Sequence, residues 1–481
     1  MPRYSIVSVS GLAFLLAAAS APQASASGFQ LRDQSGSAQG SAYAGVSAGG
    51  SDISSMFFNP ATLTRFEGNH LQFGLTEIAP SSKFSDGSAS RSLGAGAISG
   101  AGSTGNIAKS ATLPTVYAMW SVNEDLKLGL SVNVPFGLTT EYAADWIGRY
   151  HGIKSHLETL DITPTVAYRM NPKWSVGAAF VARRAKAELS QAVDFGYAAF
   201  GLINSFPAGT FNAPAGGPGP APGSADGSVN IQGSSWAYGY KLGLMFDPTP
   251  AFHLGLGYQS AIRETLKGTA TFSGTSEIQS ELGHFGAGNV GNQTASAVIS
   301  GLAAAAASGS ATAVLNLPAT TSLGMVYDVS STFSLAAEVS QTKWSSFKEL
   351  RVKFSDSRTQ KDQFTTENWK DAMFYALGAT CKPGNDWTYR LGLALDQTPV
   401  PDANRTPRIP DADRTWVSLG VSYEFTKAFG VDAGYSHLFV KTSTVNLQGG
   451  AAGSSTFFNG NLQGTYKNSI DILALQARYA F

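Results

Sequence analysis

Leu473-Ala474-Leu475-Gln476-Ala477-Arg478-Tyr479-Ala480-Phe481 is the stretch on which the fold turns. Leu473, Leu475, Ala477, Tyr479 and Phe481 share one parity; Ala474, Gln476, Arg478 and Ala480 share the other. Successive side chains of a β-strand point to opposite faces, so this segment has one apolar and one polar face. Residues 387–396 repeat the pattern, with Trp387, Tyr389, Leu391, Leu393 and Leu395 set against Thr388, Arg390, Gly392, Ala394 and Asp396. Residues 417–425 do so again, with Val417, Leu419, Val421, Tyr423 and Phe425 on the apolar side. In a soluble sandwich the apolar face looks inward. Here the aromatics gather near segment ends, where they suit the interfacial girdles of a transmembrane β-barrel.

Extending outward, the same alternation marks fourteen segments: 69–78, 113–121, 126–138, 156–169, 173–189, 234–247, 251–264, 315–328, 331–344, 373–381, 386–396, 413–425, 428–442 and 467–481. Their connections alternate between short turns, such as Val122–Asp125 and Thr426–Lys427, and long loops, such as 190–233 and 265–314. A closed antiparallel barrel with periplasmic turns and extracellular loops requires that rhythm. An even strand count closes the sheet and removes its edges. Composition agrees. Only 14% of the 481 residues are charged, against about a quarter in an ordinary soluble domain. The balance of 33 basic and 33 acidic residues excludes a nucleic-acid binder working through a basic face. Past residue 21 no apolar run is long enough for a helical membrane span. A solenoid would show one fixed repeat period, and none is present.

Residues 1–26 read as a secretory signal peptide. Arg3 is the positive n-region, Val9–Ala19 the short apolar core, and Ala24-Ser25-Ala26 the small-x-small cleavage signal. Residues 27 to about 66 are small, polar and Gly-rich, and include Phe57-Phe58-Asn59-Pro60-Ala61. They predict short helices rather than strands, and a barrel leaves them no place but its interior. The lone Cys381 excludes an intramolecular disulfide.

Two long loops are unusually apolar. Residues 195–211 include Phe195, Phe200, Leu202, Phe206 and Phe211, and residues 295–315 include Ile299, Leu302 and Ala303–Ala307. Extracellular loops should be polar, so these patches predict a binding surface, a roof of two loops packed together, or both. Catalytic signals fail their context tests. Gly45-Val46-Ser47-Ala48-Gly49 matches a hydrolase elbow, but no strand leads into it. The six histidines have no metal-binding spacing, and no phosphate loop occurs. The residues therefore predict no enzyme, no metal and no cofactor. On 173–189, parity puts Arg183 in the lumen, with Gln191 on the same face beyond the segment's end. It turns Arg184 outward, near the upper interface or after a bulge. A lumenal cation pairs either with an internal carboxylate or with a cargo carboxylate. Pro135 removes a ladder donor within 126–138 and marks a kink, a gap or the strand end.

Together these residues resemble the FadL/TodX family of outer-membrane transporters for long-chain fatty acids and other hydrophobic compounds. Ser27-Gly28-Phe29-Gln30-Leu31 is similar to the family's mature start, and Asn59-Pro60-Ala61 to its plug motif. Val134-Pro135-Phe136-Gly137-Leu138 is similar to its kinked third strand, and Trp344-Ser345-Ser346-Phe347, Asp396–Pro401, Asn404-Arg405 and Ile409-Pro410-Asp411 to its late strands and loops. The terminal Tyr-Ala-Phe suits a barrel handed to the assembly machinery. The resemblance implies an all-β, fourteen-stranded outer-membrane barrel (67–481) closed by a helical hatch (27–66) around Phe29, Asn59, Pro60 and Ala61. It implies cargo capture between the two apolar loops, through Phe200, Leu202, Phe206 and Leu302, in an outer leaflet of lipopolysaccharide. It implies a deeper apolar pocket with basic groups for a carboxylate, and sideways exit at Pro135, Phe136 and Gly137. Arg351 stands where the family has a carboxylate-binding lysine. The family's other arginine falls on Gln191, so Arg183 is the substitute by parity. That departure leaves an aromatic or alkane hydrocarbon as the alternative cargo, with a general porin a weaker one.

Overall fold

The computed structural model describes residues 28–203, 221–274, 304, 306–355, 362–384, 386–451, 454 and 456–481, with the side chains of 201–203 excepted. The expected signal peptide lies outside them. Fourteen antiparallel strands form one closed sheet: β1 (His70–Ser90), β2 (Ala111–Ser121), β3 (Leu126–Asn133 and Gly137–Glu141), β4 (Lys154–Asn171), β5 (Trp174–Asp194), β6 (Asp226–Thr249), β7 (Phe252–Gln259 and Ile262–Ser273), β8 (Gly309–Leu317 and Thr320–Asp328), β9 (Phe333–Thr342 and Glu349–Phe354), β10 (Gln363–Thr366 and Ala372–Cys381), β11 (Trp387–Asp396), β12 (Arg414–Glu424), β13 (Phe429–Val440 and Ser443–Leu447) and β14 (Asn461–Ala480). Each pairs with its sequence neighbours, and β14 returns to β1 in register from His70–Ala480 to Ser90–Asn461. Closure leaves the sheet no free edge strand, which the bilayer core demands.

The alternation that marked the strands works inside out. Leu475 is 55% exposed on the outer wall, whereas its neighbour Gln476 is 4% exposed in the interior. Six strands are interrupted, a detail the apolar pattern does not carry. Several also run further than predicted. β1 continues to Ser90, β6 begins at Asp226 and β14 at Asn461. Above the membrane the wall no longer faces lipid, so the strand persists while its apolar alternation fades. The apolar stretch after β5 is a helix, Phe195–Ile203.

The segment Gly28–Phe66 threads the interior as short helical turns, Gly36–Gln39, Val46–Ala48, Ile53–Phe57 and Pro60–Arg65. Asn59 caps the last: its Oδ1 accepts from Ala61 N (3.0 Å), and its Nδ2 donates to Ser47 O (2.7 Å) and to Leu244 O of β6 (3.1 Å). Pro60 suits the first helical position because its missing N–H would find no intrahelical partner there. The wall accepts this segment through inward glycines. A Cβ at Gly255 would collide with the Ser47 carbonyl, and one at Gly392 with the Ser41 backbone. Ser47 itself sits in a buried 3-10 turn, donating Oγ–H to Glu338 (2.5 Å), not on a strand-to-helix elbow.

Candidate functional site

The sheet has a window. β2 and β3 pair from Ser121–Lys127 to Val116–Val132 and then part. Above the gap the chain before β2 meets β3 again at the Ala108–Thr140 bridge, where Lys109 N donates to Thr139 O (3.2 Å) and Glu141 N donates to Ile107 O (2.8 Å). Pro135 has no N–H to give the ladder, and Phe136 is turned fully inward. The start of the inner segment takes over as pairing partner. Leu31 N donates to Pro135 O (2.8 Å), Gly137 N donates to Phe29 O (3.1 Å), and Gln34 Nε2 donates to Val134 O (2.8 Å). The kinked wall is thus hydrogen-bonded to the plugging chain instead of to the next strand.

Behind the window lies a cavity of about 460 Å³. Its lining is mainly apolar and includes Leu31, Phe58, Ile78, Leu113, Trp416 and Ile472. Outward-facing Thr112, His156, Glu158 and Leu160 line it too, so the cavity passes through the wall. A second cavity of about 90 Å³ shares Phe29, Leu138, His156, Leu157 and Ile409 with the first. A third of about 50 Å³ shares Leu189, Ile231, Leu350, Val352 and Arg408 with the second. The three form a column from the loop side to the window, with Phe29 at the lower junction. Its ring packs against Trp344 (4.7 Å), Trp369 (5.5 Å), Phe136 (6.0 Å) and Phe347 (6.1 Å).

Arg183 faces inward and Arg351 outward, each as strand parity predicts, and neither reaches the cavities. Arg183 is buried, but Asp161 takes its fork in two bonds (Nε–Oδ1 2.6 Å, Nη2–Oδ2 2.7 Å), and Phe136 covers its guanidinium at 4.8 Å. It lines none of the three cavities. Arg351 faces outward, because β9 keeps its odd-numbered side chains out beyond its interruption. There it pairs with Glu349 (2.6 Å) and Asp362 (3.2 Å), while Leu350 and Val352 line the column. Gln191 does line the uppermost cavity, where it accepts from Arg408 Nη2 (2.8 Å).

Three arginines to which the sequence assigned no role line the cavities. Arg408, in the β11–β12 connection, also donates Nη1 to Lys154 O (3.1 Å) and Ser155 Oγ (3.1 Å). Burial pulls it down to about 10, against the opposing field of Glu367. Glu367 is itself pushed up to about 8 by burial, and accepts from Trp369 Nε1 (2.8 Å). Arg414 lines the large cavity, donating Nη2 to Asp411 (2.7 Å) and Gly28 O (3.2 Å); its buried Nε has no partner. Arg32 lies over Phe374 (3.9 Å) on the same cavity, with its buried Nη1 unpartnered. Asp33 Oδ1 beside them is also unpaired, whereas both Asp411 carboxylate oxygens accept hydrogen bonds. No motif marks Arg32 or Arg408, and Arg414 falls in the family-like Asp413-Arg414 pair without a role attached; only tertiary register brings the three to the column.

The apolar loops touch each other. Phe195 and Ala199 of the helix pack with Ala225 and with Ala306 of the other loop. Arg91 fastens the helix base through Asp194 (2.9 Å). Phe200 is 39% exposed. The side chain of Leu202, and all of Phe206 and Leu302, lie outside the described residues.

A closed outer-membrane barrel with an internal plug, a side window and a column of apolar cavities defines a membrane transport protein. Family comparison agrees: residues 17–481 match the model of the outer membrane protein transport protein family (OMPP1/FadL/TodX), and the chain belongs to that family. The long-chain fatty acid transport protein of Escherichia coli K12 is 30% identical over 450 residues, covering 93% of this chain and 95% of that one. The putative outer membrane protein NMB0088 of Neisseria meningitidis is 30% identical over 469 residues, 95% of each. The crystal structure of a Pseudomonas aeruginosa FadL homologue superposes with a TM-score of 0.79 at 27% identity, over 94% of this chain and 100% of that one. The Pseudomonas putida toluene transporter TodX shares the fold (TM-score 0.62, 17% identity, 94% and 99% covered).

Proposed function

We propose that this protein takes up long-chain fatty acids from the outer leaflet side and releases them sideways into the membrane. The carrying observation is the 460 Å³ cavity that passes through the wall between β2 and β3. Its size is within the range of small-molecule sites, and its apolar lining suits an alkyl chain. Each CH₂ moved from water into such a lining contributes about 0.8 kcal/mol, enough to draw a long chain down the column. The unpartnered N–H groups of Arg32 and Arg414 favour a cargo ending in a carboxylate over a neutral hydrocarbon. The name of the Escherichia coli relative supports the same reading.

In this mechanism the apolar loops take the cargo out of water. It descends past Gln191 and Arg408 to the Phe29 cluster. Displacing Phe29 pulls on the bonds between residues 29–34 and the β3 kink, so opening the column and clearing the window are one event. Pro135, Phe136 and Gly137 shape the exit, and Asn59, Pro60 and Ala61 hold the rest of the hatch to the wall. Transport follows the gradient.

Native mass spectrometry of the detergent-purified protein tests the cargo. Hexadecanoate should bind the wild type. R32Q and R414Q should each weaken it by about 10- to 100-fold, as expected for a lost hydrogen bond to a charged group, and leave hexadecane binding unchanged. Equal loss for both ligands, or none, would remove the fatty-acid assignment and favour hydrocarbon.

A further inference from the structure

On the outer wall, Arg184 and Lys186 of β5 are exposed and point away from the lumen, as do Arg263 and Lys267 of β7. Lys186 stands directly across from Ser234 on β6, and Ser234 directly across from Lys267. Two inter-strand steps put the two lysine backbones about 10 Å apart. Arg184 stands across from Trp236, which is 52% exposed. None of the four cations has an ion pair among the described residues, although other outward charges do: Lys343 holds Asp371 (2.9 Å) and Lys441 holds Asp413 (2.6 Å). The nearest acidic positions offer little relief. Glu188 is taken by Lys154 (2.7 Å), and Glu158, across from Lys186, is shared with His156 (3.9 Å).

Their height is informative. Trp174 stacks on Phe246 at the periplasmic turn (4.2 Å), and Arg184 is ten residues further along the same strand. At roughly 3.3 Å per residue and a barrel tilt of 35–45°, that rise is about 25 Å, the thickness of the lipid-facing apolar band. Phe180, Tyr238, Tyr240 and Leu242 fill the exposed wall just below. The four cations therefore stand at the outer headgroup level. Like charges gathered on one sheet face repel, and unpaired cations beside lipid call for an anion.

We propose that this patch binds a phosphorylated glycolipid of the outer leaflet, of the lipopolysaccharide class. Arg184 and Lys186 hold one phosphate, and Arg263 and Lys267 a second. Arginine suits phosphate through its planar fork and lysine as a point charge. The sugar between them lies on Trp236, and the acyl chains run down past Tyr238, Tyr240 and Leu242. The site is on the outside of the barrel and does not depend on the cargo route.

The test is a native mass spectrometry titration of the delipidated, detergent-folded full chain with bis-phosphorylated lipid A, dephosphorylated lipid A and phosphatidylglycerol. Bis-phosphorylated lipid A should bind at least tenfold tighter than either comparator. R184Q/K186Q/R263Q/K267Q should lose at least tenfold, and K343Q/K441Q should bind like the wild type. Heat-modifiable gel migration reports folding, and K186Q/K267Q serves if the quadruple variant fails to fold. Equal binding of either comparator, or undiminished binding by the folded variant, would overturn the proposal. So would a dimer of the delipidated protein that the same substitutions dissolve, since the patch would then face a second copy.

Discussion

At the residue scale, three buried arginines divide into two kinds with opposite expectations. Arg183 has its carboxylate in Asp161, whereas Arg32 and Arg414 keep N–H groups without partners on the cavity. Arg183→Leu strands Asp161 in the interior, and breaking a buried pair costs about 3–5 kcal/mol. Chemical unfolding in detergent should show that loss, with the relative affinity for hexadecanoate and hexadecane unchanged. Glu367 supplies a pH dependence. Its carboxyl is raised by burial from the usual 4.5 to about 8, so the folded state binds a proton the unfolded chain has lost. The stability it lends is complete below about pH 4.5 and disappears as pH rises through about 8. Hydrogen exchange across residues 367–371, corrected for intrinsic rate, should lose protection between about pH 4.5 and 8 and level off above that. Glu367→Gln should flatten that trend.

At the element scale, the decisive feature is a strand that changes partner. Below Val132, β3 pairs with β2; above it, residues 135 and 137 pair with residues 29–31 of the inner segment. Continuing the β2–β3 register by two residues sets Pro114 opposite Val134. A cysteine pair at those positions, with Cys381→Ser to remove the native thiol, should close the window when oxidised. Fatty-acid uptake into proteoliposomes should then fall at least tenfold and return on reduction. Full uptake by the oxidised form would show that cargo leaves by another route. The interruption is local chemistry as well as tertiary choice: Pro135 cannot donate to any ladder, so this part of β3 tolerates the gap at lower cost than a segment with all its N–H groups.

At the scale of the whole molecule, the closed ring and its contents act as one body. Inward glycines on β7 and β11 leave room for the inner segment's backbone, and Asn59 ties that segment to β6. A filled lumen should not carry a steady ion current. Planar-bilayer recording of the wild type should show no large open conductance, and deletion of residues 28–66 should create one. Heat-modifiable migration reports whether the emptied barrel still folds. A wild type that conducts like an open pore would favour the general porin instead.

The period-2 alternation carried most of the architecture. Lipid exposure demands an apolar side chain at every second position, and that demand is written into Leu473, Leu475 and Tyr479 as plainly as into Leu391 and Leu393. The strand number, the short-and-long rhythm of connections and the odd polar segment before His70 were legible for the same reason. Family likeness added the kink at Pro135 and the place of Phe29. The cations of the column were not legible. Parity says which face a residue takes, but not what stands opposite it on that face. Asp161 comes from β4 to neutralise Arg183, β9 holds Arg351 outside, and the β11–β12 connection folds over the lumen to bring Arg408 beside Gln191. The first two follow from neighbouring-strand register and from parity once the strands are aligned, but Arg408 and Gln191 lie 217 residues apart, so only the closure of the ring decided that meeting.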